Sequence, residues 1–220
     1  METVPIIGGT GAIGFAIAAR LAREGVPVVI GSRDAERARE AAARIDGSAE
    51  GLENAEAATR GPIVLLCVPF RSQSETLTNL KGVLEPGQIL VDTTVPLAAA
   101  ISGKATRLLG VPQGSAAQQA QEMAPEGVEV VAAFHTVGAP ALADLGHEMD
   151  EDVLVAGDSR EAKRRVAELV AACPGLRPVD AGKLEIARYI EGMTPLLISI
   201  NARHRTHAGI RLAGLEEPRW

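Results

Sequence analysis

Three glycines near the start of the chain have the spacing of a phosphate-binding loop. Gly9, Gly11 and Gly14 fit the pattern G-x-G-x-x-G and follow the apolar run Val4–Ile7, while residues 15–22 have a helical composition and apolar spacing. Between a strand and a helix, such glycines allow a tight turn, close approach of a pyrophosphate and close helix packing. The free N–H groups at the helix start favour an anion. The sequence therefore predicts a dinucleotide site with contacts from Gly9, Thr10, Gly11, Ala12 and Ile13.

The end of the second apolar run, 26–30, bears on which dinucleotide is preferred. A site that prefers NAD normally has Asp or Glu here to bind the adenine ribose hydroxyls. This chain has Gly31, Ser32 and Arg33 instead, and Arg37 follows one helical turn later. A hydroxyl and guanidinium groups bind a 2′-phosphate, so the pattern favours NADP(H) over NAD(H). The alternative is that both arginines are solvated first-turn residues, and the neighbouring Asp34 does not help a phosphate.

Three further strand ends supply candidates for the reacting end of the site, because ligands bind at the carboxyl edge of such sheets. They are residues 68–70, 93–96 and 134–138. We expect Val68 and Pro69 to contact the cofactor. His135 is either a contact to cofactor and second substrate or a structural histidine.

No catalytic dyad is evident in the sequence, which contains neither G-x-S-x-G nor Tyr-x-x-x-Lys. Carbonyl reduction requires a proton donor, whereas hydride exchange between two redox coenzymes mainly requires that their rings be held together. We therefore predict no catalytic side chain and no metal ligand. The alternative is that Lys183 acts as a general acid. Its position after Asp180-Ala181-Gly182 is similar to that of the acid lysine of β-hydroxyacid dehydrogenases.

The elements around these residues predict an α/β fold, a Rossmann-type doubly wound and mainly parallel sheet with a small helical C-terminal segment. Residues 1–180 form the predicted NADP-binding domain and residues 181–220 the helical segment. Within that segment a helix is expected from Lys183 to about Ile210, broken or kinked at Pro195. An acidic capping box, Asp158 and Glu161, is expected to begin the preceding helix.

Composition limits the class of partner. The 220 residues have a net charge of −6 and only 2% aromatic residues, which disfavours nucleic-acid binding. No apolar run approaches membrane-spanning length, and the two cysteines are far apart, so neither a membrane, a metal site nor a disulfide is predicted. The chain enters its first strand almost at once, which favours a cytoplasmic protein. Residues 181–220 carry six Lys/Arg against four Glu, so this segment either helps to bind a small anion or is simply solvated.

Several short stretches in this order resemble one family, the NADPH-dependent oxidoreductases of the deazaflavin coenzyme F-420. They are Gly8-Gly9-Thr10-Gly11, Gly31-Ser32-Arg33, Ser115-Ala116-Ala117, His135-Thr136, Gly157-Asp158, Leu176-Arg177-Pro178, Asp180-Ala181-Gly182 and Thr194-Pro195-Leu196. The resemblance covers nearly the whole chain. It departs from the family at Gly138 and Ala139, and the role of residues 215–220 is open.

This resemblance implies a substrate, a cleft and an assembly. NADP(H) would lie on Gly9 to Ile13, with its 2′-phosphate at Ser32, Arg33 and Arg37. Coenzyme F-420 would stack on the nicotinamide in a cleft lined by His135, Val137, Thr194, Pro195 and Leu197, and a hydride would pass reversibly between the two rings. The C-terminal helices would complete the cleft and a homodimer.

Two other functions are compatible with the same motifs. One is an NADPH-dependent imine or ketone reductase of a small metabolite, similar to pyrroline-carboxylate reductases, with Lys183 or His135 as the proton donor. The other is no enzyme but an NADP(H)-binding regulator or a module similar to ferric reductases.

Overall fold

Within residues 2–215 and 220, which the computed structural model describes, eight strands form one sheet in the order β3-β2-β1-β4-β5-β6-β7-β8. All neighbouring strands are parallel except β6 and β7. The predicted Rossmann-type, mainly parallel sheet is thereby confirmed. The strands are β1 (Val4–Ile7), β2 (Val28–Ser32), β3 (Ala49–Glu53), β4 (Ile63–Leu66), β5 (Ile89–Asp92), β6 (Glu129–Ala132), β7 (Glu151–Gly157) and β8 (Leu176–Gly182).

Helices cover both faces of this sheet, so its central strands are apolar on both sides. Ile6 packs into one apolar cluster, with side chains of α1, α6 and α7, and Ile7 into a second, with side chains of α3, α4, α5 and α8. The helices are α1 (Ala12–Arg23), α2 (Ala35–Ala42), α3 (Asn54–Ala58), α4 (Phe70–Leu80), α5 (Ala116–Met123), α6 (Ala139–Ala143), α7 (Arg160–Ala171) and α8 (Ala187–His204), with 3₁₀ turns at Ala98–Ile101 and Leu184–Ile186.

The C-terminal helix is shorter than expected. Of the predicted break or kink at Pro195, the break is wrong: α8 continues through this residue, which is buried. A proline removes one helical N–H, and at this buried position the helix continues without it. The helix ends at His204 because Arg205 adopts a left-handed conformation, and the N–H of Thr206 returns to the carbonyl of Asn201 at 3.2 Å.

The expected capping box is also wrong in its first residue. Ser159 caps α7, its hydroxyl accepting a hydrogen bond from the N–H of Ala162 at 3.2 Å. The carboxylate of Asp158 instead accepts from the N–H of Leu184 at 3.2 Å, because β7 extends to Gly157 and directs Asp158 toward the turn after β8.

The division at residue 180 remains a prediction, and it falls inside β8. Met1 and residues 216–219, which belong to the two predicted parts, lie outside the described residues, as does most of the 215–220 tail. None of the described helices is long and apolar enough to cross a membrane.

Candidate active site

The glycine loop joins the end of β1 to the start of α1 and leaves no room for larger residues. A Cβ on Gly9 would lie 2.8 Å from the carbonyl oxygen of Ile6, and one on Gly14 would lie 3.0 Å from Cys67 Cβ and from Gly9 Cα. Gly8 has a φ of +74°, and a Cβ there would lie 2.7 Å from Val68 Cγ1. The loop after β1 therefore packs directly against the loop after β4.

The start of α1 is open in a way that suits an anionic ligand. Gly11 provides no side-chain cap for this helix, whereas Asp34, Ser115 and Ser159 cap α2, α5 and α7. Gly11 and the next residue, Ala12, are exposed. The first N–H groups of α1 are thus left for a ligand, and the bare backbone around them fits the pyrophosphate of a dinucleotide.

At the end of β2, hydrogen bonds hold the carboxylate of Asp34 at the start of α2. The carboxylate of Asp34 accepts from the N–H groups of Glu36 and Arg37 at 2.9 and 3.3 Å, so it is turned toward the start of α2. Arg33 and Arg37 are exposed, and Ser32 is buried as the last residue of the strand. Because the N-terminus of α2 compensates the charge of Asp34, this carboxylate is less unfavourable to a bound 2′-phosphate than its place in the sequence suggests.

Arg33 faces a cavity between β3, α3 and α4. Its lining includes Asn54, Glu75 and Asn79. Asn54 was missed from the sequence: its side-chain oxygen accepts from the N–H of Gly8 at 3.3 Å and would lie 2.9 Å from a Cβ on Gly31. It therefore connects the glycine loop to the end of β2, which no local motif indicates.

His135 is buried beyond the end of β6. It follows Phe134, a non-glycine residue with a left-handed φ of +66°, so the chain turns sharply where the strand ends. Among the described residues, neither ring nitrogen of His135 has a hydrogen-bond partner. Burial lowers the pKa of His135 to about 4, with the nearby backbone of Thr94 opposing the change, and the imidazole is therefore neutral at physiological pH.

Helix α8 lies against this turn. The hydroxyl of Thr194 donates to the carbonyl of His135 at 2.8 Å, which brings two of the predicted deazaflavin contacts together. Val137 and Pro195 are buried and Leu197 is half-buried. In the single chain, little of the Val137 and Pro195 side chains is therefore accessible to a ligand.

Lys183 is not brought to His135. It lines a separate polar cavity beside α5, with Gln118, Asp158 and Glu185. Of the two proton donors considered for a metabolite reductase, one is thus neutral and the other lies elsewhere.

Sequence reasoning also missed a buried polar network at the end of β5 and the start of α5. Gln73 is fully buried, and its amide nitrogen lies 2.8 Å from Asp92 Oδ2, 2.8 Å from Thr94 Oγ1 and 3.0 Å from the carbonyl oxygen of Ala116. Burial raises the pKa of Asp92 to about 7, against the lowering effect of its hydrogen bonds from Thr94 and Gln73. The network ties the end of β5 to the start of α5. The one sign of this network in the sequence is Asp92, a carboxylate at the end of an apolar strand.

The open glycine loop at the carboxyl edge of a doubly wound sheet defines a Rossmann-type dinucleotide-binding protein. The family model described as NADP oxidoreductase, coenzyme F-420-dependent, matches residues 3–96. The F-420-dependent NADP reductase of Methanothermobacter thermautotrophicus is 41% identical over 97% of this chain and 96% of its own length. That of Methanocaldococcus jannaschii is 42% identical over 97% of this chain and 99% of its own. The chain belongs to the F-420-dependent NADP reductase family.

Solved structures agree with this assignment. A crystal structure from a species of Arthrobacter, provisionally described as an F-420-dependent NADP-reductase, superposes with a TM-score of 0.80 at 26% identity, covering 97% of this chain and 99% of that one. The NADP-bound pyrroline carboxylate reductase of Plasmodium falciparum gives a TM-score of 0.59 at 15% identity, over 92% of this chain and 67% of that one. The second likeness concerns the fold alone, so the metabolite-reductase alternative gains no functional support from it.

Proposed function

We propose that this protein catalyses reversible hydride transfer between NADP(H) and coenzyme F-420 by bringing the two rings into direct contact. The relatives at about 40% identity over nearly the full chain, whose names specify both coenzymes, are the observation that carries the proposal. NADP(H) supplies a hydride at carbon 4 of its nicotinamide, and the deazaflavin accepts it at carbon 5. The protein's own task is to hold both and exclude water.

The dinucleotide is proposed to lie across the carboxyl ends of β1, β2 and β4. Its pyrophosphate binds the N–H groups at the start of α1, and its 2′-phosphate binds Ser32, Arg33 and Arg37. The contacts are Gly9, Thr10, Gly11, Ala12, Ile13, Ser32, Arg33, Arg37, Val68 and Pro69, with His135 and Val137 at the nicotinamide end.

The deazaflavin is proposed to bind between the end of β6 and α8, against His135, Val137, Thr194, Pro195 and Leu197. These side chains are mainly apolar, and the neutral imidazole of His135 would add no buried charge next to the rings. Positioning is the whole of the proposed catalytic contribution, and no side chain is assigned a proton-transfer role.

We also propose that the protein is a cytoplasmic homodimer. Tyr189 and Leu196 are 63% and 59% exposed, and they lie on one face of α8 with Gly192, at spacings of three and four residues. Leu108 packs beside Gly192, and Leu108 and Ile101 are 41% and 65% exposed. A second copy would cover this apolar face. Sedimentation at micromolar concentration tests the assembly, and a single species of 22.9 kDa would contradict it. Cytoplasmic location is part of the same proposal, and cell fractionation tests it.

The test of function is a spectrum of oxidised F-420 mixed with NADPH and the purified protein. We expect rapid loss of the deazaflavin's visible absorbance, and much slower loss with NADH. His135→Ala should raise the KM for F-420 more than it lowers kcat, because no proton donor is removed. NADPH binding without bleaching would overturn the proposal.

The two alternative functions would give different results. A metabolite reductase would turn over an imine or ketone, and Lys183→Ala or His135→Ala would lower this turnover by orders of magnitude. A regulator would show no turnover with any acceptor.

A further inference from the structure

Helix α8 carries one acidic residue on its buried face. Ala187, Ile190 and Pro195 form an apolar stripe with helical spacing, and Glu191 lies within it at 2% exposure. A carboxyl group at such a position is costly unless hydrogen bonds compensate it. A carboxyl group at position 191 is therefore expected to have specific hydrogen-bond partners.

The partners of Glu191 are the first two amides of α5. Its Oε2 accepts from the N–H of Ala116 at 3.0 Å, and its Oε1 accepts from the N–H of Ala117 at 3.1 Å. Ser115 caps the same helix internally, accepting from the N–H of Gln118 at 3.0 Å. Glu191 thus completes the cap of α5 from another helix, about 75 residues away in sequence.

The same segment of α5 is also held from the opposite side. The carbonyl of Ala116 accepts from Gln73, whose amide also contacts Asp92 and Thr94. Asp92 interacts with Glu191 electrostatically, and burial raises the pKa of Glu191 to about 8. Arg188, one turn earlier on α8, packs against Gly114 just before α5. The start of α5 is therefore a fixed support to which α8 is attached.

One turn after Glu191, Thr194 binds the carbonyl of His135. Residues 191 and 194 lie on one side of α8, so two polar contacts three residues apart set its height and rotation over the carboxyl edge. We propose that Glu191 is a positioning residue, which holds Thr194, Pro195 and Leu197 at the deazaflavin side of the cleft through its bonds to α5. This inference rests on the proposed function, and it concerns F-420 binding rather than NADPH binding.

The test is Glu191→Gln, compared with Glu185→Gln, an exposed acid at the start of the same segment. Above pH 8, where the carboxyl of Glu191 is ionised and both of its oxygens accept, glutamine differs in having one acceptor oxygen, so one of the two N–H groups loses its partner and faces an amide donor instead. We expect the KM for F-420 to rise about tenfold, the size expected for one lost buried hydrogen bond. The Kd for NADPH, followed by its fluorescence, should change less than twofold. Amide hydrogen exchange should become faster at residues 116–117 and 191–197 and stay unchanged in the glycine loop. Glu185→Gln should alter none of these quantities.

Three outcomes would overturn the inference: an unchanged KM for F-420, an equal loss of affinity for both coenzymes, or faster exchange throughout the protein. If Glu191→Gln does not fold, Glu191→Asp applies the same test, because the shorter carboxylate cannot reach both amides. Failure of the proposed function is separate, since it would appear as absence of F-420 bleaching in the unmodified protein. The hydrogen-exchange comparison still reports on the attachment of α8 in that case.

Discussion

At the scale of single residues, the preference for NADP(H) depends on which charges face the ligand at the end of β2. Arg33 is exposed beside a cavity whose lining also includes Glu53 and Glu75, and the adjacent carboxylate of Asp34 is bound to the start of α2. A guanidinium in this setting is free to bind phosphate in a bidentate manner. Lysine at the same position would offer only a point charge.

We therefore expect Arg33→Ala to raise the KM for NADPH by about tenfold or more, the usual cost of losing charged hydrogen bonds, and to leave the KM for NADH nearly unchanged. Initial rates with both nucleotides give the ratio directly. Arg39→Ala is the matched control, because Arg39 is an exposed arginine on α2 that binds Glu36 at 2.8 Å. Equal effects of the two substitutions on NADPH would mean that only general surface charge is involved.

At the scale of elements, the glycine loop works because α1 approaches β1 and β4 very closely. Ala is the better helix former, so Gly14→Ala would stabilise an isolated helix. In the protein, its Cβ would meet Cys67 Cβ and Gly9 Cα at 3.0 Å and the oxygen of Gly8 at 3.1 Å. We expect the loop to be displaced, at a cost of about 1–3 kcal/mol typical of overpacking.

The measurements are urea unfolding and a fluorescence titration with NADPH. Gly14→Ala should lower the free energy of unfolding and weaken NADPH binding together. Gly82→Ala, at a site with nothing within 4 Å of the added Cβ, should do neither. Normal affinity and stability in Gly14→Ala would show that the loop tolerates a wider separation from α1.

The elements also show which parts of the site are visible in a sequence. The glycine loop and the end of β2 were predicted because a strand, a loop and a helix in succession leave a local pattern. The buried network at the start of α5 leaves no local pattern: Gln73 and Asp92 are 19 residues apart, and Ala116 and Glu191 are 75 apart. Such pairs form only when the sheet brings α4, α5 and α8 together. The misplaced cap at Asp158 and the expected break at Pro195 have the same origin, because local preference was overridden by tertiary contacts.

At the scale of the whole molecule, buried carboxyl groups make stability depend on pH in an unusual direction; Glu151, with a pKa of about 6, acts mainly at lower pH, and two others act near neutral pH. Burial raises the pKa of Asp92 from 3.8 to about 7 and that of Glu191 from 4.5 to about 8. Each folded-state pKa lies above the unfolded value, so the folded protein retains protons that the unfolded chain releases. This contribution is fully present below the unfolded pKa, and it is lost as the pH rises through the folded pKa. His135 acts in the opposite direction, since its pKa falls from 6.5 to about 4, but its gain is nearly complete above pH 6.5.

Between pH 6.5 and 8.5 the free energy of unfolding should therefore fall by about 2–3 kcal/mol, since each protonated carboxyl contributes up to about 1.4 kcal/mol per pH unit. Urea unfolding at several pH values measures this slope. In Glu191→Gln the fall should shrink to about 1 kcal/mol or less, the share left to Asp92. A fall of only about 1 kcal/mol in the unmodified protein, unchanged in Glu191→Gln, would mean that the dipole and the two N–H groups at the start of α5 outweigh burial and keep Glu191 charged. The two outcomes thus decide whether the link between α5 and α8 is formed by a carboxylic acid or a carboxylate.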